Sequence, residues 1–118
     1  VSDNIEARDY IARAEGWRIS HRYCTARAAN TVDWFHDKSN TWHAVHPIPN
    51  TLDEAAKLPE GWNIDLRRQR NGKWAGEAWD GEGTTFLEQY KDDPRDVLFP
   101  LRERVLKHMA ALAQETKQ

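Results

Sequence analysis

A single cysteine, Cys24, stands in 118 residues. That excludes an intramolecular disulfide and makes a reducing cytoplasm the expected compartment. No apolar run approaches the roughly 20 residues of a membrane span or the core of a signal peptide. No sign of charge dominates either. The 17 Lys and Arg against 19 Asp and Glu leave a net charge of -2, too weak for a broad positive field aimed at nucleic acid and too weak for a DNA mimic. Aliphatic residues are sparse, and with 31% charged residues and a mean hydropathy of -0.89 the chain would read as disordered if aliphatics alone built its core. Rings fill that deficit. Six Trp, three Tyr and three Phe each remove far more apolar area from water than an alanine does, so an aromatic-anchored single domain is expected.

The motif Glu-Gly-Trp-x-Ile occurs at Glu15-Gly16-Trp17-Arg18-Ile19 and again at Glu60-Gly61-Trp62-Asn63-Ile64, each time after a helix-like stretch. A helix ending on glycine and handing over to a segment that opens with a large aromatic is an α-to-β joint, so two related α–β units are expected. Asp3 and Glu6 have the spacing of a capping box, followed by Ala7, Ile11 and Ala14 on one face, which predicts helix over Asp3–Glu15. Ile19–Cys24 can extend, Ala26–Asn30 is turn-like or briefly helical, and Thr31–His36 with Thr41–Val45 around Asp37-Lys38-Ser39-Asn40 reads as a hairpin. Thr51 and Glu54 form a second capping box, and Leu52, Ala55, Ala56 and Leu58 predict a short helix ended by Pro59 and Gly61.

Asn71-Gly72 between Trp62–Arg70 and Lys73–Asp80 is the strongest hairpin signal. A two-residue turn would split the apolar set between two faces. A three-residue loop, Arg70-Asn71-Gly72 with Gly72 left-handed, pairs Gln69 with Lys73 and Arg68 with Trp74, and puts Trp62, Ile64, Leu66, Trp74 and Ala78 on one face. The other face then carries Asp65, Arg67, Glu77 and Trp79, facing solvent or a partner. Thr84–Leu87 can add an edge strand. Asp93-Pro94 opens a long helix within Pro94–Gln114, in which Leu98, Leu101, Val105, Met109 and Leu112 form a stripe and Arg102, Glu103, Lys107 and Glu115 lie mainly elsewhere. Pro100 either kinks this helix or marks its true first turn. The expected fold is α+β, with an antiparallel sheet of about four strands in two hairpins packed by helices.

Chemistry is poorly signalled. Cys24, His36, His43 and His46 match no familiar zinc spacing. Nucleophilic catalysis would need Cys24 with His21 or His36 as base and Asp33 or Asp37 as orienting acid, and no glycine-rich elbow lies near Cys24. Asp80, Glu82, Glu88, Asp92 and Asp93 fall in solvated segments that would not raise one carboxyl as a glycosidase acid. Arg67, Arg68, Arg70 and Lys73 lie among Trp62, Trp74 and Trp79, as single-strand binders require, with Asp65 and Glu77 diluting the patch. Trp79, Trp42 and Phe35 are the candidate exposed aromatics for a protein interface.

The order of Gly16-Trp17, a Trp-bearing hairpin, Pro47-Ile48-Pro49-Asn50-Thr51-Leu52-Asp53-Glu54-Ala55-Ala56, Gly61-Trp62, the Trp74 hairpin and a terminal Met109-Ala110-Ala111-Leu112 resembles the phage ABA-sandwich family of small phage and prophage proteins. The resemblance spans nearly the whole chain in short, degenerate motifs. It departs where the family has Pro-x-Tyr-Ser-Thr-Asp before the second helix: here the aromatic is missing and one residue is inserted. The resemblance implies a sheet sandwiched between helices and a viral origin, and carries over no catalytic residue. A protein of this kind is expected to bind and modulate a host protein, a bacterial defence component among the candidates, without a cofactor, metal or membrane. The alternative is nucleic-acid binding through the basic, Trp-rich hairpin at 62–80. The candidate interaction residues are Arg67, Arg70, Lys73, Glu77, Trp79 and Trp42.

Overall fold

The computed structural model describes residues 3–24 and 29–115, the side chains of 20–24 and 29–32 excepted. Along the chain run α1 (Ile5–Ala14), β1 (Trp17–Cys24), β2 (Ala29–His36), β3 (Thr41–His43), α2 (Leu52–Ala55), β4 (Asn63–Arg68), β5 (Trp74–Trp79), β6 (Thr85–Lys91) and α3 (Arg95–Glu115). A helix followed by a three-stranded antiparallel meander therefore occurs twice, with strand orders β1-β2-β3 and β4-β5-β6. The α+β expectation holds. Its two hairpins are β2–β3 and β4–β5, but they lie in two separate sheets where one sheet of about four strands was expected, and each gains a third strand, β1 before the first and β6 after the second.

The repeated motif leads into the first strand of each meander. Gly16 and Gly61 have φ of +97° and +89°, a left-handed backbone that a side chain would strain. Gly16 closes α1, its N–H donating to the Arg13 carbonyl at 3.1 Å. Gly61 acts differently, because α2 stops at Ala55, short of the expected Leu58. It occupies the third position of a turn in which the Trp62 N–H donates to the Pro59 carbonyl at 3.2 Å. Trp17 then opens β1, and Trp62 stands one residue before β4.

Helix starts also depart from expectation. The Asp3/Glu6 capping box does not form: Asn4 is the N-cap, left-handed at φ 57°, and the Asp3 carboxylate accepts from the Ile5 N–H at 3.1 Å. Asn4 is drawn away by a long-range bond, its Nδ2 donating to Asp96 Oδ1 at 2.8 Å and pinning the start of α1 to the start of α3. In α2 only half of the second box is used. Thr51 Oγ1 accepts from the Glu54 N–H at 3.3 Å, while the Glu54 carboxylate turns to Lys57 and Arg102. Asp93 caps α3 as its spacing predicts, accepting from the Arg95 N–H at 2.8 Å. The helix then runs through Pro100, which lacks the N–H that would have bonded the Asp96 carbonyl.

The core lies on α3. Val97, Phe99, Leu101 and Val105 are fully buried, each contributing about 1.5–3 kcal/mol. Phe99 and Leu98 join Ile11, Trp34 and Ile48 in one cluster, while Val97, Leu101 and Val105 meet Ala78 with Trp62, Trp74 and Phe86 in another. The stripe outruns the body, so Met109 and Leu112 are exposed. Arg102, expected on the polar side, is buried at 5% exposure. Its Nη1 donates to the Glu54 carbonyl at 2.7 Å and its Nη2 to Glu15 Oε1 at 2.8 Å, so one guanidinium joins α3 to the ends of both other helices.

The 70–72 loop has the bulged register expected. Gln69 N–H donates to the Lys73 carbonyl at 2.8 Å, Gly72 has φ +81°, and Arg68 pairs with Trp74. Ile64, Leu66, Gly76 and Ala78 consequently face α3, and Asp65, Arg67, Ala75, Glu77 and Trp79 face the other way.

Candidate functional site

That other face of the second sheet is uncovered by α3, which packs on β5 and β6 from the opposite side. Register aligns three rows across it. Asn63, Trp79 and Thr85 form one, and Asp65, Glu77 and Leu87 form the next. In the third, Arg67 pairs with Ala75 on one side, but β6 carries an extra residue on the other. Trp74 pairs with Lys91 and Gly76 with Glu88, leaving Gln89 and Tyr90 opposite Ala75 alone. Tyr90 absorbs this bulge at φ +65° and is 65% exposed, a backbone state that costs a bulky residue about 1–3 kcal/mol.

The bulge and the small Ala75 leave a hollow of about 210 Å³, walled by Asp65, Arg67, Gln69, Glu77, Leu87 and Gln89. Pockets for drug-sized molecules run to about 300–1,000 Å³, so this one suits a single side chain. Arg67 Nε donates to Asp65 Oδ2 at 2.6 Å, and that bond, with a smaller pull from Glu77, raises the guanidinium pKa further above its ordinary value. No ion pair engages Glu77 among the described residues. The inward oxygen of Gln69 is buried with no hydrogen-bond partner. Leu87, directly across from Glu77, is 51% exposed.

The sequence-derived candidates thus divide three ways. Arg67, Glu77 and Trp79 share this face. Arg70 and Lys73 lie at the hairpin tip, where Lys73 pairs with Asp92. Trp42 belongs to the first sheet, its ring 4.5 Å from Phe35, over which the Arg18 guanidinium stacks at 5.0 Å. Leu87, Gln89 and Tyr90 were not among the candidates. Alternation in Thr84–Leu87 could have placed Leu87, but nothing local in the sequence marks a left-handed tyrosine.

The histidines are occupied otherwise. His46 Nδ1 accepts from the Ile48 N–H at 3.1 Å, which leaves its proton on Nε2 to donate to Asp9 Oδ1 at 2.7 Å. His36 Nδ1 accepts from the Ser39 N–H at 3.2 Å, and its Nε2 donates to the Glu15 carbonyl at 2.9 Å. The Ser39 hydroxyl meets the same Nδ1 at 3.0 Å, closing an exposed turn. His36 meets the Trp17 ring edge-on and His43 lies tilted against the same ring, whereas His46 lies tilted against Trp34. Neither His36 nor His46 has a nitrogen left to act as base. Asp37 is paired with Arg18 at 2.9 Å, and the Cys24 and His21 side chains lie outside the described residues. Among the described residues no three of His, Cys, Asp or Glu are grouped to hold a metal ion, and no helix is long and apolar enough to cross a membrane. No protein-family model matches the chain, and no curated protein or solved structure matches it either.

Proposed function

We propose that this chain is a non-enzymatic binding module that engages a protein partner through the uncovered face of its second sheet. One observation carries the reading: Arg67 and the half-exposed Leu87 wall a side-chain-sized hollow, with Trp79 in a neighbouring row, on a sheet face that α3 does not cover. Trp and Arg are the residue types that most often anchor interfaces, and they do so around central pockets. The doubled helix–meander order and the motif run from Gly16-Trp17 to Met109-Ala110-Ala111-Leu112 support a phage or prophage protein of the ABA-sandwich kind. A partner in the bacterial host cytoplasm, a defence component included, follows from that likeness.

Charge pairing disfavours nucleic acid as the partner. Of the hairpin cations, Arg67 is held by Asp65 and Lys73 by Asp92, while Arg68 stacks over Trp74, 5.8 Å from its ring centre. Few positive charges remain to release counterions from a phosphate backbone. The test places a photo-crosslinking amino acid at Gln89 on the uncovered face, or at Ala111 on the exposed end of α3, in bacterial host lysate. A discrete adduct from position 89 alone is expected, and a gel shift with single-stranded oligonucleotides at low salt is not. Adducts only from position 111, or a shift that Arg67→Ala abolishes, would overturn the reading.

A further inference from the structure

We propose that the hollow over Ala75 receives the guanidinium of an arginine side chain presented by the partner. This rests on the binding face proposed above and names the chemistry that the face recognises.

Three features of the hollow call for a cation with several donors. Asp65 and Glu77 are direct cross-strand partners, and like charges in that position destabilise a sheet. Arg67 answers Asp65 but leaves Glu77 without an ion pair among the described residues. Gln69, in the wall of the hollow, has a side-chain oxygen buried from solvent with no donor to satisfy it, a state that costs free energy until a donor arrives. A planar guanidinium has donors enough for the Glu77 carboxylate and, once the Gln69 side chain turns outward, for its oxygen as well. Its aliphatic stem would lie along Leu87, exposed beside Glu77. A volume of about 210 Å³ accommodates a side chain. The bulge that opens the hollow is maintained by a strained Tyr90, as expected where a strand departs from regular pairing for a purpose.

The experiment titrates the full chain with N-acetylarginine methylamide, its citrulline counterpart and N-acetylglutamate methylamide, following ¹H–¹⁵N spectra of the backbone and the Gln69 side-chain amide. Saturable shifts confined to Gln69, Ala75–Glu77 and Leu87–Gln89 are expected with the arginine probe, in the millimolar range. The neutral citrulline probe should bind roughly tenfold more weakly, the loss of one charge-assisted hydrogen bond. Glu77→Gln should weaken the arginine probe by a similar factor, and it should raise the urea midpoint because the facing carboxylates no longer repel. Equal response to arginine and citrulline, preference for the glutamate probe, no saturable shift, or a lowered midpoint in Glu77→Gln would overturn the assignment. If position 89 still gives its adduct while the arginine probe fails, the guanidinium assignment falls and the binding face stands. If both fail, both fall.

Discussion

Replacing Gly76 by alanine probes the packing that sets the second sheet against α3 and, through it, the shape of the uncovered face. A Cβ built on Gly76 would lie 2.6 Å from Val97 Cγ1 and 3.2 Å from both Leu101 Cδ1 and the Asp65 carbonyl oxygen. Carbon–carbon contacts are optimal at about 3.5–4.0 Å, so Val97 must retreat by about 1 Å. It has nowhere to go, since Val97 and Leu101 are fully buried. Two effects oppose each other. Loss of unfolded-chain freedom favours alanine by about 0.4–1 kcal/mol, while overpacking a filled core costs about 1–3 kcal/mol. The overlap is with core side chains and backbone, not the end of a flexible chain, so the cost wins and a net loss of about 1–2 kcal/mol is expected. Urea unfolding followed by tryptophan fluorescence measures it. Val97→Ala in the Gly76→Ala background supplies the decisive comparison, because the new methyl occupies part of the space that the valine vacates. The double variant should be more stable than the sum of the single losses by about 1 kcal/mol. Additivity within about 0.5 kcal/mol, or a stabilised Gly76→Ala, would refute the reasoning.

Arg102→Ala should cost about 3–5 kcal/mol, because it leaves Glu15 and Glu54 facing each other's vicinity without their shared cation; Arg102→Met should recover part of that through packing, and a loss below about 1 kcal/mol in the alanine variant would contradict the role of this residue in urea titrations. Burial pushes the Glu54 carboxyl up, but its contacts with Lys57 and Arg102 outweigh that and leave its pKa below the ordinary value. Its contribution to stability is therefore complete above the unfolded-state pKa of about 4.3 and is lost as pH falls through the lower folded value. Urea midpoints across that acid range should fall more steeply for the native chain than for Glu54→Gln, and equal slopes would contradict this. Tyr90→Gly relieves a left-handed backbone at an exposed site, so thermal unfolding should show a gain of about 0.5–1 kcal/mol, whereas a loss would mean that Tyr90 is not strained.

Local features of this fold were legible and distant ones were not. Gly16 and Gly61 announced where each meander begins, and Asn71-Gly72 with its flanking apolar residues determined the β4–β5 register. These depend on neighbours in the chain. Arg102 was misplaced because its carboxylates lie 87 and 48 positions away, and no wheel drawn on α3 alone contains them. The first capping box failed for the same reason, Asn4 being held by Asp96 across 92 positions. Met109 and Leu112 continue a correct periodicity past the end of the surface it packs on. At the candidate site, Arg67, Glu77 and Trp79 followed from alternation once the register was known. The hollow did not, because it arises from an unpaired residue on β6 and a conformation that tyrosine seldom adopts.

Leu87→Ser combined with the crosslinker at Gln89 decides whether the uncovered face of the second sheet serves binding and not folding. A stability within about 0.5 kcal/mol of the unaltered chain is expected, as for an exposed site outside the core, together with loss of the adduct. A large loss of stability, or an adduct that survives undiminished in a folded Leu87→Ser protein, would contradict it.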